Sequence, residues 1–171
     1  VEIATDEEPA RIDIAKIPAL RPAFAKDGTI TAASSSKISD GGAATVLMTE
    51  RTAEARGLQP LARIVAHATH SQQPEWFTTA PVGALKKVLE RAGWQASDVD
   101  LFEVNEAFAA VSMAAMKDLD LPHERLNVHG GACALGHPIG CSGARIVVTL
   151  IHALRTSGGS RGVASLCLGG G

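Results

Sequence analysis

Short apolar runs alternate along the chain with longer amphipathic segments. The apolar runs are rich in β-branched residues and predict strands, whereas apolar positions three or four residues apart in the longer segments predict helices. The predicted strands cover residues 43–48, 61–68, 99–104, 126–128 and 162–168. The predicted helices cover residues 12–20, 50–56, 81–92, 106–119 and 142–154.

This alternation of strands and helices predicts an α/β domain with a largely buried sheet. The third predicted helix begins at Pro81 and stops before Gly93, and the second stops before Gly57. Residues 146–150 are apolar nearly all round, so we expect their helix to be covered on both sides. Residues 34–37 read as a linker or a binding loop.

Composition and charge narrow the class of protein. Of 171 residues, 46% are hydrophobic and 20% are charged, which is typical of a globular protein. The net charge of -2 gives no general attraction to nucleic acid or to an anionic membrane. Three cysteines without regular spacing favour a reducing compartment over a disulfide framework. We therefore expect a cytoplasmic protein with no nucleic-acid or membrane partner.

Residues 127–145 carry the strongest signal of a functional site, since five glycines, two histidines, two cysteines and a proline crowd into them. His137 stands between Gly136 and Pro138, which excludes it from a regular helix interior. The pattern predicts a tight loop that presents the imidazole and then opens into a helix near residue 141 or 142. A neutral imidazole there could accept a proton from a thiol or donate to an oxyanion.

Two further candidates, Asn105 and Cys167, lie at the ends of predicted strands, where open α/β sheets bind ligands. Asn105 either caps the following helix or holds a water or a carbonyl oxygen. Cys167 is either a small buried apolar residue or a thiol that moves protons. The glycines after Cys167 leave main-chain N–H groups that could form an oxyanion hole.

Cys133, His137 and Cys141 are four residues apart and would share one face of a continuous helix, as the ligands of a metal site could. Gly136 and Pro138 oppose such a helix, and the chain has no CxxC pair. We therefore expect no metal.

Three motifs, in this order, resemble the C-terminal part of the thiolase family. They are Asn105 to Ala109 (NEAFA), residues 127–145, and Cys167 to Gly171 (CLGGG). Shorter matches at residues 21–24, 27–29 and 40–41 extend the resemblance over nearly the whole chain. Within the family, the chain is most similar to the acetyl-CoA acetyltransferase and 3-ketoacyl-CoA thiolase group.

The resemblance implies a thiolase-like α/β fold, with this chain in a C-terminal core domain of an αβαβα layered sandwich whose mixed sheet is covered by helices. Residues 1–37 would be the tail of a loop domain that covers CoA, and residues 38–171 the C-terminal domain, with its final strand missing. The nucleophilic cysteine of the family belongs to an N-terminal half that we expect to be absent. Neither Cys133 nor Cys141 replaces it, so the fragment itself is expected to be inactive.

The implied activity is that of an acyltransferase in fatty acid metabolism. It would perform CoA-dependent Claisen condensation of two acetyl-CoA molecules to acetoacetyl-CoA, or cleavage of 3-ketoacyl-CoA. By resemblance, His137 would activate the acyl-accepting nucleophile, and Asn105 would hold a water that helps to polarise the thioester oxygen. Cys167 would be the acid/base at the α-carbon, and the N–H of Gly169 would lie in the second oxyanion hole.

The resemblance also assigns a CoA-binding set: Ser36 for the pantetheine arm, with Phe24, Ala107 and Phe108 lining the channel. CoA thioesters would be substrates, and no cofactor is expected. The loop reads Ser-Ser-Ser-Lys at residues 34–37 where the family usually has Asn-Ala-Ser-Gly, but the serine is kept. The full-length protein would be a homodimer or homotetramer.

Two other functions compete with this one. A thiolase-like protein could hold acyl-CoA or lipid without turning it over, although a pure binder would not need Asn105, His137 and Cys167 together. Condensation in the manner of a ketoacyl synthase would require a histidine or asparagine at position 167, where this chain has cysteine.

Overall fold

The computed structural model describes residue 2 and residues 4–168, so Gly169 lies outside the described residues. The α-helices are Glu7–Arg11 (α1), Glu50–Ala55 (α2), Ala80–Ala92 (α3), Ala109–Leu119 (α4), Ala132–Leu135 (α5) and Ser142–Ser157 (α6). The strands are Leu101–Val104 (β1) and Gly162–Ser165 (β2). Short 3₁₀ helices cover Ile14–Ala19, Ala32–Ser34, Pro74–Thr79, Ala96–Asp98 and His123–Arg125.

Strands β1 and β2 pair in parallel, with Leu101 opposite Gly162 and Val104 opposite Ser165. Since side chains alternate along a strand, the two faces of this sheet enter different clusters. Phe102 and Val104 pack into the main core together with residues of α3 and α4. Leu101 packs on the opposite face against Leu150 and Ala153 of α6. The sheet is therefore covered by helices on both faces.

Most predicted helices are present with small changes at their ends. Helices α2, α3 and α6 match the predicted segments within three residues, and both α2 and α3 end before the glycines that were expected to stop them. Residues 12–20 contain a 3₁₀ helix instead of an amphipathic α-helix, and α5 was not predicted. Helix α6 buries one face only, since Val147 is 38% exposed, so the expected cover on both sides is not found among the described residues.

Helix α4 begins later than predicted, and this decides between the two interpretations of Asn105. The residue at the helix N-cap is Phe108, whose backbone is extended and which forms an antiparallel bridge with Ser35. Residues 105–108 thus form a connection between β1 and α4 instead of the first helical turn. Asn105 is not the cap of this helix, and its side chain is left for another role.

The strand predicted at residues 126–128 is replaced by a side-chain contact. Leu126 forms a single bridge with Phe102, and Asn127 has a φ of 48°, which takes the backbone out of the extended region. The Asn127 side chain continues the pairing instead. Its Oδ1 accepts from the Val104 N–H at 2.9 Å, and its Nδ2 donates to the Val104 carbonyl at 2.9 Å. One amide side chain therefore satisfies both backbone groups at the end of β1.

The strands predicted at residues 43–48 and 61–68 are wrong for the described structure, because neither segment has a ladder partner. Their apolar side chains are also exposed, with Val46 at 86% and Ile64 at 68%. A β-branched run becomes a strand only where another strand accepts its backbone hydrogen bonds. Among the described residues, no helix is long and apolar enough to cross a membrane.

We expect Asn127→Ala to lower the free energy of unfolding by about 1–3 kcal/mol, because it leaves the buried N–H of Val104 without a partner, whereas the Val104 carbonyl still accepts from the Ser112 hydroxyl at 3.2 Å. Urea denaturation followed by circular dichroism measures the change. Asn127→Asp retains the acceptor but places a second carboxylate against Glu106, whose Oε1 accepts from Asn127 Nδ2 at 3.0 Å in the parent protein, so it should destabilise the protein at least as much as Asn127→Ala. Equal stability of all three proteins would contradict this account of the end of β1.

Candidate active site

His137 lies where the end of β1 meets the start of α6. The backbone of Gly136 has a φ of 91°, and a Cβ built there would lie 2.2 Å from the Ser39 hydroxyl, so only glycine fits. The next N–H, that of His137, donates to the Lys37 carbonyl at 2.7 Å, and Ile38 bridges to His137 in parallel. The predicted tight loop is thus present, and it is tied to the segment around residue 37.

The hydrogen bonds of His137 indicate which ring nitrogen carries the proton. Ser142 Oγ donates to the Pro138 carbonyl at 3.1 Å and lies 2.6 Å from His137 Nδ1, so it accepts from Nδ1–H. Asn105 Nδ2 lies 3.4 Å from Nε2 and can only donate. Both contacts assign the same tautomer. The Nε2 lone pair therefore points toward Asn105.

Ser142 was not predicted as a site residue. The signal for it was present, since the predicted helix was expected to open at residue 141 or 142. A serine at that position lies within one turn of the preceding loop and is fully buried here. What the sequence could not show is that the loop folds back so that the imidazole, five residues earlier, contacts the serine hydroxyl.

The surroundings of His137 keep its imidazole neutral. Burial lowers the pKa of His137, and the positive charge of Arg145 lowers it further. A histidine with a lowered pKa takes up its proton only at a more acidic pH than usual, so Nε2 remains unprotonated at neutral pH. The ring can therefore act as a proton acceptor.

Asn105 is almost fully buried, and the structure joins it to His137. Its Oδ1 has no hydrogen-bond partner among the described residues. A buried amide oxygen without a partner is costly, and such atoms in folded proteins normally meet a water or a ligand. Asn105 therefore offers one acceptor beside a basic imidazole nitrogen, which suits a water held at that point.

Cys167 lies two residues beyond β2 and lines a cavity of about 390 Å³ together with His70, Phe77 and Val88. Burial raises the pKa of its thiol, so the protonated form prevails at neutral pH. None of the hydrogen bonds among the described residues joins Cys167 to His137 or Asn105. The structure thus brings Asn105 and His137 together and places Cys167 in a cavity that neither of them lines.

Cys133 has a different environment from Cys167. Its N–H donates to a carboxylate oxygen of Glu106 at 3.2 Å, and the other oxygen accepts from Asn127 Nδ2 at 3.0 Å. Burial and the Glu106 charge raise the pKa of Cys133 to about 11. Gly131 is needed beside this carboxylate, since a Cβ there would lie 2.1 Å from its carbon. Cys133 is therefore a thiol in a structural contact and is unsuited to be a nucleophile.

The four residues predicted to bind CoA form one cluster. The Ser36 N–H and hydroxyl both donate to the Ala107 carbonyl, at 3.1 and 2.9 Å. The rings of Phe24 and Phe108 meet edge to face, with centroids 5.6 Å apart and planes at 81°. Phe24 is 73% exposed, so this cluster presents an aromatic surface to solvent.

The segment at residues 35–38 connects this cluster to the imidazole. Ser36 holds Ala107, and the following carbonyl, that of Lys37, accepts the N–H of His137. A ligand that contacts Phe24 and Ser36 would therefore approach the Asn105–His137 pair along one continuous stretch of backbone. Among the described residues, no group of three or more histidine, cysteine, aspartate or glutamate side chains could hold a metal ion.

Comparison with known families places the chain in a class. The family model "Thiolase, C-terminal domain" matches residues 58–171, and "Thiolase, N-terminal domain" matches residues 2–51. The chain belongs to the thiolase family. The boundary predicted between residues 37 and 38 falls inside the N-terminal match and stays a prediction.

The similar proteins specify the class further. A probable acetyl-CoA acetyltransferase of Dictyostelium discoideum is 53% identical over 99% of this chain and 41% of its own length. The cytosolic acetyl-CoA acetyltransferase of Mus musculus is 50% identical over 99% of this chain and 44% of its own length. The chain thus spans about two fifths of the length of the curated relatives it matches.

Solved structures agree with this assignment. The Acat5 thiolase from Ascaris suum in complex with coenzyme A superposes with a TM-score of 0.91 at 47% identity, covering 99% of this chain and 44% of that one. The Bacillus anthracis acetyl-CoA acetyltransferase gives a TM-score of 0.90 at 50% identity, covering 95% and 41%. The predicted thiolase-like α/β fold is confirmed.

We expect Ser142→Ala to shift the equilibrium between the two neutral tautomers of His137, because Nδ1–H loses its acceptor. The fraction of ring carrying its proton on Nε2 should rise, and the ¹⁵N chemical shifts of the two ring nitrogens measure that fraction directly. Ser157→Ala, at the far end of α6, is the matched control and should leave the shifts unchanged. Unchanged shifts in Ser142→Ala would show that the hydroxyl does not set the tautomer.

Proposed function

We propose that the protein carrying this chain is a thiolase that transfers acyl groups between CoA thioesters, with acetyl-CoA acetyltransferase activity favoured. The observation that carries this proposal is the Asn105–His137–Ser142 arrangement, in which a neutral imidazole keeps a lone pair next to an amide with an open acceptor. Curated relatives named for acetyl-CoA acetyltransferase activity, at about half identity, support it.

In this proposal His137 Nε2 removes the proton of the acyl-accepting nucleophile, and Asn105 holds a water that donates to the thioester oxygen. Cys167 exchanges a proton with the α-carbon of the second thioester. Because burial raises its pKa, the thiol is protonated and can give its proton to the α-carbanion that forms when the carbon–carbon bond breaks; in condensation the resulting thiolate takes that proton back from the α-carbon. Gly169 N–H completes the second oxyanion site.

In this proposal Ser36 and the Phe24–Phe108 pair contact different parts of the pantetheine arm of CoA. The Ser36 hydroxyl already donates to Ala107, so its remaining lone pairs can accept an N–H from an amide of the pantetheine arm. Phe24 and Phe108 supply an aromatic surface on which the apolar part of the arm can pack. The thioester is a substrate, and no cofactor is required by this chemistry.

The assembly and location of the protein follow as further proposals. The exposed apolar side chains at residues 43–48 and 61–65 would be covered by other parts of a longer thiolase chain, or by a second copy in a homodimer or homotetramer. A cytoplasmic location is supported by three cysteines that form no disulfide and by the cytosolic relative in mouse.

We expect His137→Ala and Asn105→Ala, made in the full-length protein, each to lower kcat for acetoacetyl-CoA cleavage by about 10²- to 10⁴-fold, because each removes a group that moves or directs a proton. Cys167→Ala should do the same. A coupled assay of CoA-dependent cleavage measures kcat, and circular dichroism checks the fold of each variant.

Cys141→Ala is the matched control, because Cys141 has no place in the proposed chemistry. Wild-type turnover in His137→Ala or Cys167→Ala would contradict the proposed roles. Tight acyl-CoA binding by the parent protein without any product would instead identify a binding protein of thiolase fold.

We expect Phe24→Ala to raise KM for the CoA substrate several-fold and to change kcat little, because the ring contacts the carrier and not the reacting atoms. Steady-state kinetics separate the two constants. Met113→Ala serves as the control. Met113 is also an exposed apolar residue, but it lies on α4, and its replacement should leave both constants unchanged. A fall in kcat with KM unchanged would show that Phe24 does not contribute to binding of the CoA substrate.

A further inference from the structure

Glu106 forms the turn that follows Asn105 at the end of β1. The Asn105 N–H donates to the Ser165 carbonyl at 3.0 Å, so the backbone of Asn105 still pairs with β2. The Ala107 N–H then donates to the Asn105 carbonyl at 3.1 Å, which closes a three-residue turn with Glu106 at its centre. The chain therefore leaves the sheet at Glu106, directly after the amide that contacts His137.

The Glu106 carboxylate reaches from this turn to the segment that carries His137. Its Oε2 accepts from the Cys133 N–H at 3.2 Å, and its Oε1 accepts from Asn127 Nδ2 at 3.0 Å. The Cys133 thiol donates in return to the Glu106 carbonyl at 3.7 Å. Each carboxylate oxygen thus has its own partner, and Cys133 contacts both the side chain and the backbone of Glu106.

Cys133 connects this contact to the imidazole through one helical turn. It lies in α5, the short helix that ends directly before Gly136 and His137. A shift of α5 relative to β1 would therefore move the ring away from the amide of Asn105, which lies 3.4 Å from Nε2. The Glu106 carboxylate joins the two sides of that contact.

The packing of Gly131 shows that the carboxylate has a defined place. A Cβ built on Gly131 would lie 2.1 Å from the carboxylate carbon of Glu106, so a larger residue would displace the carboxylate from its two partners. The backbone of Gly131 has a φ of -101°, which any residue can adopt. A substitution at Gly131 therefore acts on the position of Glu106 without straining the backbone.

We propose that Glu106 is a positioning residue that sets the distance between Asn105 and His137 by holding α5 against the turn after β1. Catalytic groups must be held within about 0.5 Å of their productive positions, and residues that do not touch the substrate supply that precision. A main-chain N–H binds a carboxylate more strongly than a neutral acceptor, which suits this task. The inference rests on the proposed function, because it concerns how well this pair of residues performs its proposed chemistry.

The first test compares variants of the full-length protein in acetoacetyl-CoA cleavage. Glu106→Gln keeps the size of the side chain but has one acceptor oxygen, so it cannot serve Asn127 and Cys133 together. We expect kcat to fall by roughly 10- to 100-fold, as displacement of a catalytic group by about 1 Å can cause, with KM for the CoA substrate near the parent value. Glu124→Gln, at an exposed glutamate, is the matched control and should change neither constant.

Gly131→Ala supplies a second test, which keeps the charge of Glu106. It should lower kcat to a similar extent, because the added methyl group displaces the carboxylate. In a double-mutant cycle with Glu106→Ala, the effect of Gly131→Ala should disappear, since no carboxylate is left to displace. The double variant should therefore have a kcat within about two-fold of that of Glu106→Ala alone.

A measurement without substrate separates positioning from stability. The ¹⁵N chemical shift of His137 Nε2 reports the contact with Asn105. It should change in Glu106→Gln and in Gly131→Ala, and it should keep the parent value in Glu124→Gln. A purely structural role would lower the midpoint of thermal unfolding and leave both this shift and the kcat of the folded protein unchanged.

An unchanged kcat in Glu106→Gln and Gly131→Ala would overturn the proposal, as would losses that multiply in the double variant. A rise in KM with kcat unchanged would also overturn it, because it would place Glu106 in substrate binding. A parent protein that does not process CoA thioesters, yet shows the expected ¹⁵N shift changes, would reject the proposed function and keep the role of Glu106. Normal turnover of the parent protein with unchanged shifts in the variants would do the reverse.

Discussion

The hydrogen bond from His137 Nδ1–H to the Ser142 hydroxyl is the contact on which the rest of the site depends. It fixes the ring tautomer, and it joins the loop before α6 to the first residue of that helix. Because Nδ1 is occupied, the other nitrogen is left as an acceptor facing Asn105 at the end of β1. Strand, loop and helix thus meet at one imidazole, and its chemistry follows from their relative positions.

Near this junction a polar side chain, that of Asn127, takes the place of backbone pairing with β1. Beyond Val104, β1 has no third strand to complete its ladder among the described residues, and Asn127 supplies the missing donor and acceptor. A ladder at this position would fix residues 105–108 in a strand. A side-chain pair ends the strand instead, and the chain turns after Val104, where the Ala107 N–H donates to the Asn105 carbonyl at 3.1 Å.

Local sequence predicted much of this arrangement and missed the rest for identifiable reasons. Helix α3 and the Gly136–His137–Pro138 loop were predictable because proline, glycine and apolar spacing act within a few residues. The late start of α4 was not, because it depends on a bridge between Phe108 and Ser35, 73 positions apart. The Ser142 contact depends on how the preceding loop folds back, and the Glu103–Arg145 ion pair joins residues 42 positions apart, so neither follows from local sequence.

The failure at residues 43–48 and 61–68 has a different cause. Apolar, β-branched residues favour a strand because they pack well in a sheet, and they do not by themselves impose an extended conformation. A single strand without partners gains nothing from its pattern, since its backbone groups are equally well satisfied by water. The chain spans about two fifths of the length of its relatives, and the apolar side chains of both segments are exposed in it. The segment at His137 differs because its hydrogen bonds to Lys37, Asn105 and Ser142 all lie within this chain, so these contacts form without the rest of the protein.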